Sequence, residues 1–452
     1  MSRLVVVSNR LPKDQTPAGG LVFALHELLS RQGGIWIGAD DPGETGDGPL
    51  KQIGSGVYDR FVFPLSQSEN DKYYLGYANS ALWPTFHSRR DLMRHRGEWF
   101  AAYYDVNQRL ARLLAEMLQP DDLVWIHDYH FLPLASKLRE LKVTNKIGFF
   151  LHIPFPSTTD ITALPEHTMM PDWLSAYDLL GLQTQRDVSA CREYLRQSGE
   201  VELLMSGGLL QRNHRTFTVN SFPIGVDAAA IAADAKAAHA DVAARVKTAG
   251  PLILGVDRLD YSKGLIQRVE GFGRYLDLYN SGDLRPTYLQ IAPVSRGDVT
   301  AYRTLRQQLD EIAGSVNGTH ADLDWTPIRY VRRNVSRDVI SALYRHADIC
   351  LVTPLADGMN LVAKEFIAAQ DPEDPGVLIL SQFAGAAEQL QDALSINPFD
   401  TDSIAATISR AISMPLEERQ ARHATQADSV FSQDIAWWGR TYLDRLTNLA
   451  TD

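Results

Sequence analysis

Leu252-Ile253-Leu254-Gly255-Val256-Asp257-Arg258-Leu259-Asp260-Tyr261-Ser262-Lys263-Gly264 is the stretch on which the reading of this chain turns. Its first five residues read as a buried strand, and a helical pattern starts at Lys263. Between them two cations, Arg258 and Lys263, stand at the strand end. Parallel α/β sheets bind ligands outside the carboxyl ends of their strands, so both are placed for an anion. About a hundred residues later comes Asp357-Gly358-Met359-Asn360-Leu361-Val362-Ala363-Lys364-Glu365, which opens another helix. A helix start presents unpaired backbone amides to phosphate oxygens, and paired cations suit the same group. Glu365, one turn in, suits sugar or ribose hydroxyls. Alone, each segment fits a surface ion pair or a capped helix equally well; together they read as a nucleotide-sugar site.

On either side of this stretch, short apolar strands alternate with longer helical patterns, which is the signature of parallel sheets. Strands are predicted at 4–8, 34–38, 123–127, 147–152 and 179–183, with helices near 21–31, 88–118, 131–141 and 184–196. A second series has strands at 252–256, 287–292, 328–331, 349–353, 377–381 and 394–397, with helices near 263–280, 299–316, 337–346 and 361–370. Phe222-Pro223-Ile224-Gly225-Val226-Asp227 carries the punctuation of a linker. The expected fold class is α/β, with two Rossmann-like, doubly wound domains facing across a crevice. Their expected spans are 1–222 and 223–430, and a last helix within 431–452 is expected to cross back to the first domain.

The 452 residues exceed one compact core, and 45% hydrophobic with 22% charged residues is ordinary for a globular enzyme. A formal net charge of −11 argues against a nucleic-acid or anionic-membrane partner. Cys191 and Cys350 form neither a CxxC motif nor a disulfide framework, so a cytoplasmic location is expected. The run Leu4 to Val7 is too short for a signal peptide, and no stretch of 18 apolar residues is present.

Other strand ends also carry polar groups. Asn9-Arg10 precedes Ala18-Gly19-Gly20-Leu21, whose glycines let backbone approach a phosphate or sugar; a tight loop explains them as well. In Trp125-Ile126-His127-Asp128-Tyr129-His130 the HxxH spacing lacks a third ligand, so a strand-end cluster is preferred to a metal, with Asp128 as a hydroxyl acceptor or base. In Leu151-His152-Ile153-Pro154-Phe155-Pro156 two prolines fix where His152 points. Gly76-Tyr77 and Leu82-Trp83-Pro84 supply aromatics that suit a sugar face or, equally, a satellite hydrophobic cluster. Arg296 follows the strand ending at Ala292 and suits an anion contact.

Taken in order, these segments, with Ser8-Asn9-Arg10, Ser295-Arg296-Gly297-Asp298 and Ser381-Gln382-Phe383-Ala384-Gly385-Ala386, resemble the trehalose-6-phosphate synthase family. These are retaining glycosyltransferases of the GT-B class, and the likeness covers nearly the whole chain. The resemblance implies transfer of glucose from a nucleoside-diphosphate glucose to glucose 6-phosphate, giving α,α-trehalose 6-phosphate with retention. It implies that Arg10, Tyr77, Trp83 and Arg296 form the glucose 6-phosphate pocket and that Asp128 contacts the acceptor sugar. Arg258 and Lys263 would bind the donor diphosphate. Gly20, His152, Asp357, Gly358, Met359 and Asn360 would surround the donor glucose. Leu361 and Val362 would offer amides to phosphate, and Glu365 would hold the ribose. Arg258, Lys263, His152 and Asp357 are the expected catalytic set, with no cofactor and no metal. The expected partners are small-molecule substrates and further copies of the chain, up to a tetramer.

Three rival readings differ in testable ways. A related synthase with another phosphorylated acceptor disagrees with the retained Arg10, Tyr77, Trp83 and Arg296. A silent, metabolite-sensing homologue disagrees with the intact Arg258, Lys263, Asp357 and Glu365. A nicotinamide dehydrogenase disagrees with the missing GxGxxG.

Overall fold

The computed structural model describes residues 2–13, 20–204, 208–280, 284–293 and 300–449. The chain forms two compact units, Met1–Ile224 with Ile435–Asp452, and Gly225–Asp434.

The first unit is built on a ten-stranded sheet. In chain order its strands are β1 (Leu4–Val7), β2 (Gly34–Ala39), β3 (Lys51–Gly54), β4 (Tyr58–Phe63), β5 (Leu123–His127), β6 (Ile147–Phe150), β7 (Leu179–Leu182), β8 (Glu202–Leu203), β9 (Leu209–Arg212) and β10 (Arg215–Ser221). Their order across the sheet is β3-β4-β2-β1-β5-β6-β7-β10-β9-β8. The strands from β4 to β10 pair in parallel, while β3 and β9 run antiparallel to their neighbours. β1, β6 and β7 are buried at every position, as both-faced coverage by helices requires. The outer strands β3, β4 and β8–β10 were not among the expected ones. They are short or polar, and their pairing comes from neighbours rather than from a continuous apolar run.

The helix Ile435–Thr447 belongs to this unit. Tyr442 stacks on Trp125 with ring centroids 4.3 Å apart, and its hydroxyl donates to the Phe149 and Leu179 carbonyls at 3.0 and 3.2 Å. This packing also explains Gly148 and Gly181, since a Cβ at either would strike the Tyr442 ring or its oxygen.

The second unit holds β11 (Leu252–Val256), β12 (Thr287–Ile291), β13 (Ile328–Val331), β14 (Ile349–Val352), β15 (Val377–Ser381) and β16 (Leu394–Ile396). They form one parallel sheet in the order β13-β12-β11-β14-β15-β16. The chain winds outward from β11, then returns to its other side at β14. The loops after β11 and β14 therefore leave the sheet side by side at the point where strand order reverses, the usual ligand position in such sheets.

Candidate active site

In the second unit the segments 252–264 and 357–365 meet at that reversal. The strand pairing Ile253↔Ile349 sets β11 beside β14. The loops beyond are joined by Leu355 N–H donating to Ser262 O at 2.7 Å and Thr353 Oγ1 donating to Gly264 O at 3.0 Å. Gly264 has φ 61°, and a Cβ there would overlap the Thr353 carbonyl, so only glycine permits this approach. Beneath the loops Arg268, fully buried, donates to Asp257 Oδ2 at 2.6 Å, Gln290 Oε1 at 3.1 Å and Thr353 Oγ1 at 2.9 Å. Burial pushes the Asp257 carboxyl up against the pull of Arg268 and Lys263.

On this base Lys263 Nζ forms a close ion pair with Asp357 Oδ2, and Asn360 Nδ2 donates to the same oxygen at 2.9 Å. Burial works against the Lys263 ammonium, but the Asp357 and Asp257 carboxylates prevail and hold its pKa above the usual value. Arg258 projects from the same loop with 46% of its side chain exposed and a guanidinium nitrogen 4.0 Å from Asp260. Asn360, at φ 72°, caps the helix Leu361–Ala369 by accepting from Ala363 N–H at 3.4 Å. That cap leaves the amides of Leu361 and Val362 as the first donors of the helix. One turn on, Glu365 accepts from the Tyr344 hydroxyl at 3.1 Å, and burial raises its carboxyl. Gly358 and Met359 are buried under the turn, with Met359 O accepting from Ala386 N–H at 2.8 Å. Two cations, two helix amides and three carboxylate or amide groups thus converge on one strand-end surface. That arrangement suits a diphosphate next to a polyhydroxylated group.

The first unit has its own reversal, between β1 and β5. Asp128, just past β5, sits at φ 74°, a left-handed conformation that a non-glycine residue holds only when its surroundings impose it. Its N–H donates to Phe150 O at 2.8 Å, and its carboxylate accepts from His152 N–H at 3.2 Å. Behind it His127 Nδ1 and His152 Nε2 lie 3.0 Å apart and share one hydrogen bond. Burial keeps both rings neutral, with His152 pushed down to about 3 and His127 lowered by burial and by the neighbouring ring. His127 drew notice in the sequence only through its HxxH spacing with His130; its tie to His152 is visible only in the fold.

Arg10 leaves the end of β1 exposed, and its Nη2 donates to the Tyr74 hydroxyl at 2.8 Å. Tyr77, expected here, is elsewhere. It is 0% exposed, donates to Glu166 Oε2 at 3.1 Å, and shares that carboxylate with His95 Nε2 at 2.8 Å. The residue beside Arg10 is Tyr74. The segment Asn70–Leu82 is wound with i→i+5 bonding, a π-helix, and this winding turns Tyr73 and Tyr77 into the core while Tyr74 faces Arg10. Trp83 starts the next helical turn, 6% exposed and packed on His87 and Tyr129. Gly20 opens the helix Gly20–Gln32. Arg296 lies outside the described residues, as do Ala18 and Gly19.

The chain matches the family model described as glycosyltransferase family 20 over residues 4–448. It is 45% identical over 460 residues to the trehalose-6-phosphate synthase of Sinorhizobium fredii, covering 99% of this chain and 98% of that one. Among solved structures it is similar to a UDP-forming α,α-trehalose-phosphate synthase from Burkholderia xenovorans in complex with glucose-6-phosphate. That likeness has TM-score 0.94 and 41% identity over 99% of this chain and 100% of the other. It is also similar to an E. coli structure bound with UDP-2-fluoro glucose, at TM-score 0.93 and 42% identity, with 100% of both chains covered.

Proposed function

The chain belongs to glycosyltransferase family 20, and we propose that, as a member, it transfers glucose from UDP-glucose to glucose 6-phosphate. The products are α,α-trehalose 6-phosphate and UDP, and the anomeric configuration is retained. The fold is that of the GT-B class, shared with the solved UDP-forming synthase from Burkholderia xenovorans. The observation that carries the reading is the Lys263–Asp357–Asn360 cluster beside Arg258 and the helix start at Leu361.

On this reading Arg258, Lys263 and the Leu361 and Val362 amides take the donor diphosphate, and Glu365 takes the ribose hydroxyls. Gly20, His152, Asp357, Gly358, Met359 and Asn360 surround the transferred glucose. Arg10, Trp83 and Arg296 receive the acceptor, with Tyr74 standing beside Arg10 in the position expected of Tyr77. Asp128 accepts from an acceptor hydroxyl. The bond from the anomeric carbon to the diphosphate oxygen breaks while the acceptor oxygen bonds to the same face. The departing phosphate oxygen takes the proton of the attacking hydroxyl. A double displacement needs a free carboxylate nucleophile. Asp357 is tied to Lys263 and Asn360, and Glu365 to Tyr344, which favours the single front-face step. Arg258, Lys263 and the helix start stabilise the charge growing on the diphosphate, a contribution of about 2.7–4 kcal/mol per donor lost.

The same cations make the reaction independent of a metal. We also assign a cytoplasmic location, supported by two buried, unbridged cysteines, and a homo-oligomeric state. Among the described residues no helix is long and apolar enough to cross a membrane. The test is nucleoside-diphosphate release from UDP-, ADP- and GDP-glucose, with and without glucose 6-phosphate and with and without excess EDTA. Release that ignores glucose 6-phosphate overturns the acceptor, and loss on chelation restored by magnesium overturns the metal-free reading.

A further inference from the structure

The first unit carries a cavity of about 880 Å³ at the opposite end of its strands from Asp128 and His152. Its walls include Arg139, Lys142, Lys146, His214 and Arg215, with Asp178 among them. Lys146 immediately precedes β6, Asp178 immediately precedes β7, and Arg215 is the first residue of β10. The site residues follow the other ends of the parallel strands, so the length of a strand, roughly 13 Å for four residues, separates the two.

The charges in this cavity are unbalanced. Asp178 is already fully engaged: it accepts from Arg139 Nη2 at 2.9 Å, from Arg215 Nη2 at 2.5 Å and from the Ile147 N–H at 2.6 Å. Arg139 spends its remaining donors on the Val143, Asn145 and Ala176 carbonyls, and is a scaffold rather than a ligand group. Lys146 Nζ reaches the Thr447 and Leu449 carbonyls at 2.6 and 2.7 Å, which neutralises no charge. Lys142 is exposed, held on a left-handed turn at φ 63°. The Arg215 Nε–H is buried without an acceptor among the described residues. Arg215 nonetheless keeps 32% of its side chain exposed, so its guanidinium adds charge to the cavity wall. All this stands in a chain of net charge −11, where cations are not gathered by composition.

We propose that this cavity is a second anion site, separate from the reaction centre, for a soluble phosphate-bearing small molecule. The guanidinium of Arg215, held in place by Asp178, and the point charges of Lys142 and Lys146 combine the two kinds of cation that phosphate recognition uses. The volume lies within the range of small-molecule pockets, roughly 300–1,000 Å³. Binding there does not compete with either substrate, because no lining residue belongs to the strand-end surfaces described above.

The test titrates inorganic tripolyphosphate by calorimetry into the protein saturated with UDP and glucose 6-phosphate. Saturable binding is expected to survive in the saturated parent and in Arg258→Ala. It should weaken at least tenfold in Lys142→Glu and in Lys142→Glu/Arg215→Gln, with kcat/KM in the absence of tripolyphosphate unchanged in Lys142→Glu. Lys142 is exposed and forms no ion pair among the described residues, so the single variant remains readable if the double variant fails to fold. The proposal is overturned by the absence of binding to the saturated parent, by equal affinity in Lys142→Glu, or by loss of binding in Arg258→Ala. The comparison of the parent with Lys142→Glu and Arg258→Ala can be repeated without UDP or glucose 6-phosphate, so failure of the assigned reaction and failure of this site are told apart.

Discussion

Gly264→Ala tests whether the two strand-end loops of the second unit work as one piece. Gly264 sits at φ 61°, and an added Cβ meets the Thr353 carbonyl oxygen head on, with Thr353 C at 3.2 Å and Leu355 Cδ2 at 3.3 Å. The obstacle is backbone, so no side-chain rotation relieves it. Alanine in the left-handed region costs about 1–2 kcal/mol. Relieving the overlap takes a shift on the order of 1 Å between the loops, and such a displacement costs roughly 10²-fold in rate. The bonds that span the gap are Leu355 N–H to Ser262 O at 2.7 Å and Thr353 Oγ1 to Gly264 O at 3.0 Å. Losing both adds about 1 kcal/mol each, for a total near 3–4 kcal/mol. The expected result is therefore a fall of about 100-fold in kcat/KM for UDP release, together with a clearly lower urea midpoint. Gly314→Ala is the control. Gly314 lies in the helix Thr300–His320, and a Cβ added there meets nothing within 4 Å, so the variant should gain about 0.8–1 kcal/mol and keep full activity. Parent-like activity and stability in Gly264→Ala would sink the claim that the approach of these loops assembles the site.

Arg258→Ala and Lys263→Ala should each lose about 2.7–4 kcal/mol of transition-state stabilisation, seen in kcat/KM. Only Lys263→Ala should also lower the unfolding free energy in urea, by up to ~3 kcal/mol, because it strands the largely buried Asp357 carboxylate while Arg258 is half exposed. Tyr74→Phe should raise KM for glucose 6-phosphate several-fold, in line with a hydrogen bond of about 0.5–1.5 kcal/mol. Tyr77→Phe should leave that KM unchanged and lower stability instead; the reverse pattern would restore Tyr77 to the acceptor site. His152 is held near 3, well below its unfolded value, so the unfolded chain takes up a proton that the folded chain refuses. Stability should then fall as pH drops below about 6.5, by roughly 2 kcal/mol at pH 5 from this residue alone. His152→Asn should flatten that slope, and an unchanged slope would show that the ring is not held neutral.

The α/β class, the two series of parallel strands and the second unit's candidate site were all legible in the amino acids alone. Buried parallel strands are written as continuous apolar runs, and cations or amides at their ends are legible because the strand end is fixed by where the run stops. Arg258, Lys263, Asp357 and Glu365 could be read that way, a hundred residues apart. Three things became visible only in the folded chain. The outer strands β3, β4 and β8–β10 acquire their pairing from neighbours, so no periodicity of their own announces them. That Tyr74 rather than Tyr77 stands beside Arg10 is seen only in the fold, where the i→i+5 winding of Asn70–Leu82 sets the angle between these side chains. Finally, the ties between Lys263 and Asp357 and between His127 and His152 arise because parallel strands distant in sequence lie side by side. Which strand ends are neighbours follows from the order of strands in the sheet, and that order is a property of the packed layers rather than of any single run of residues.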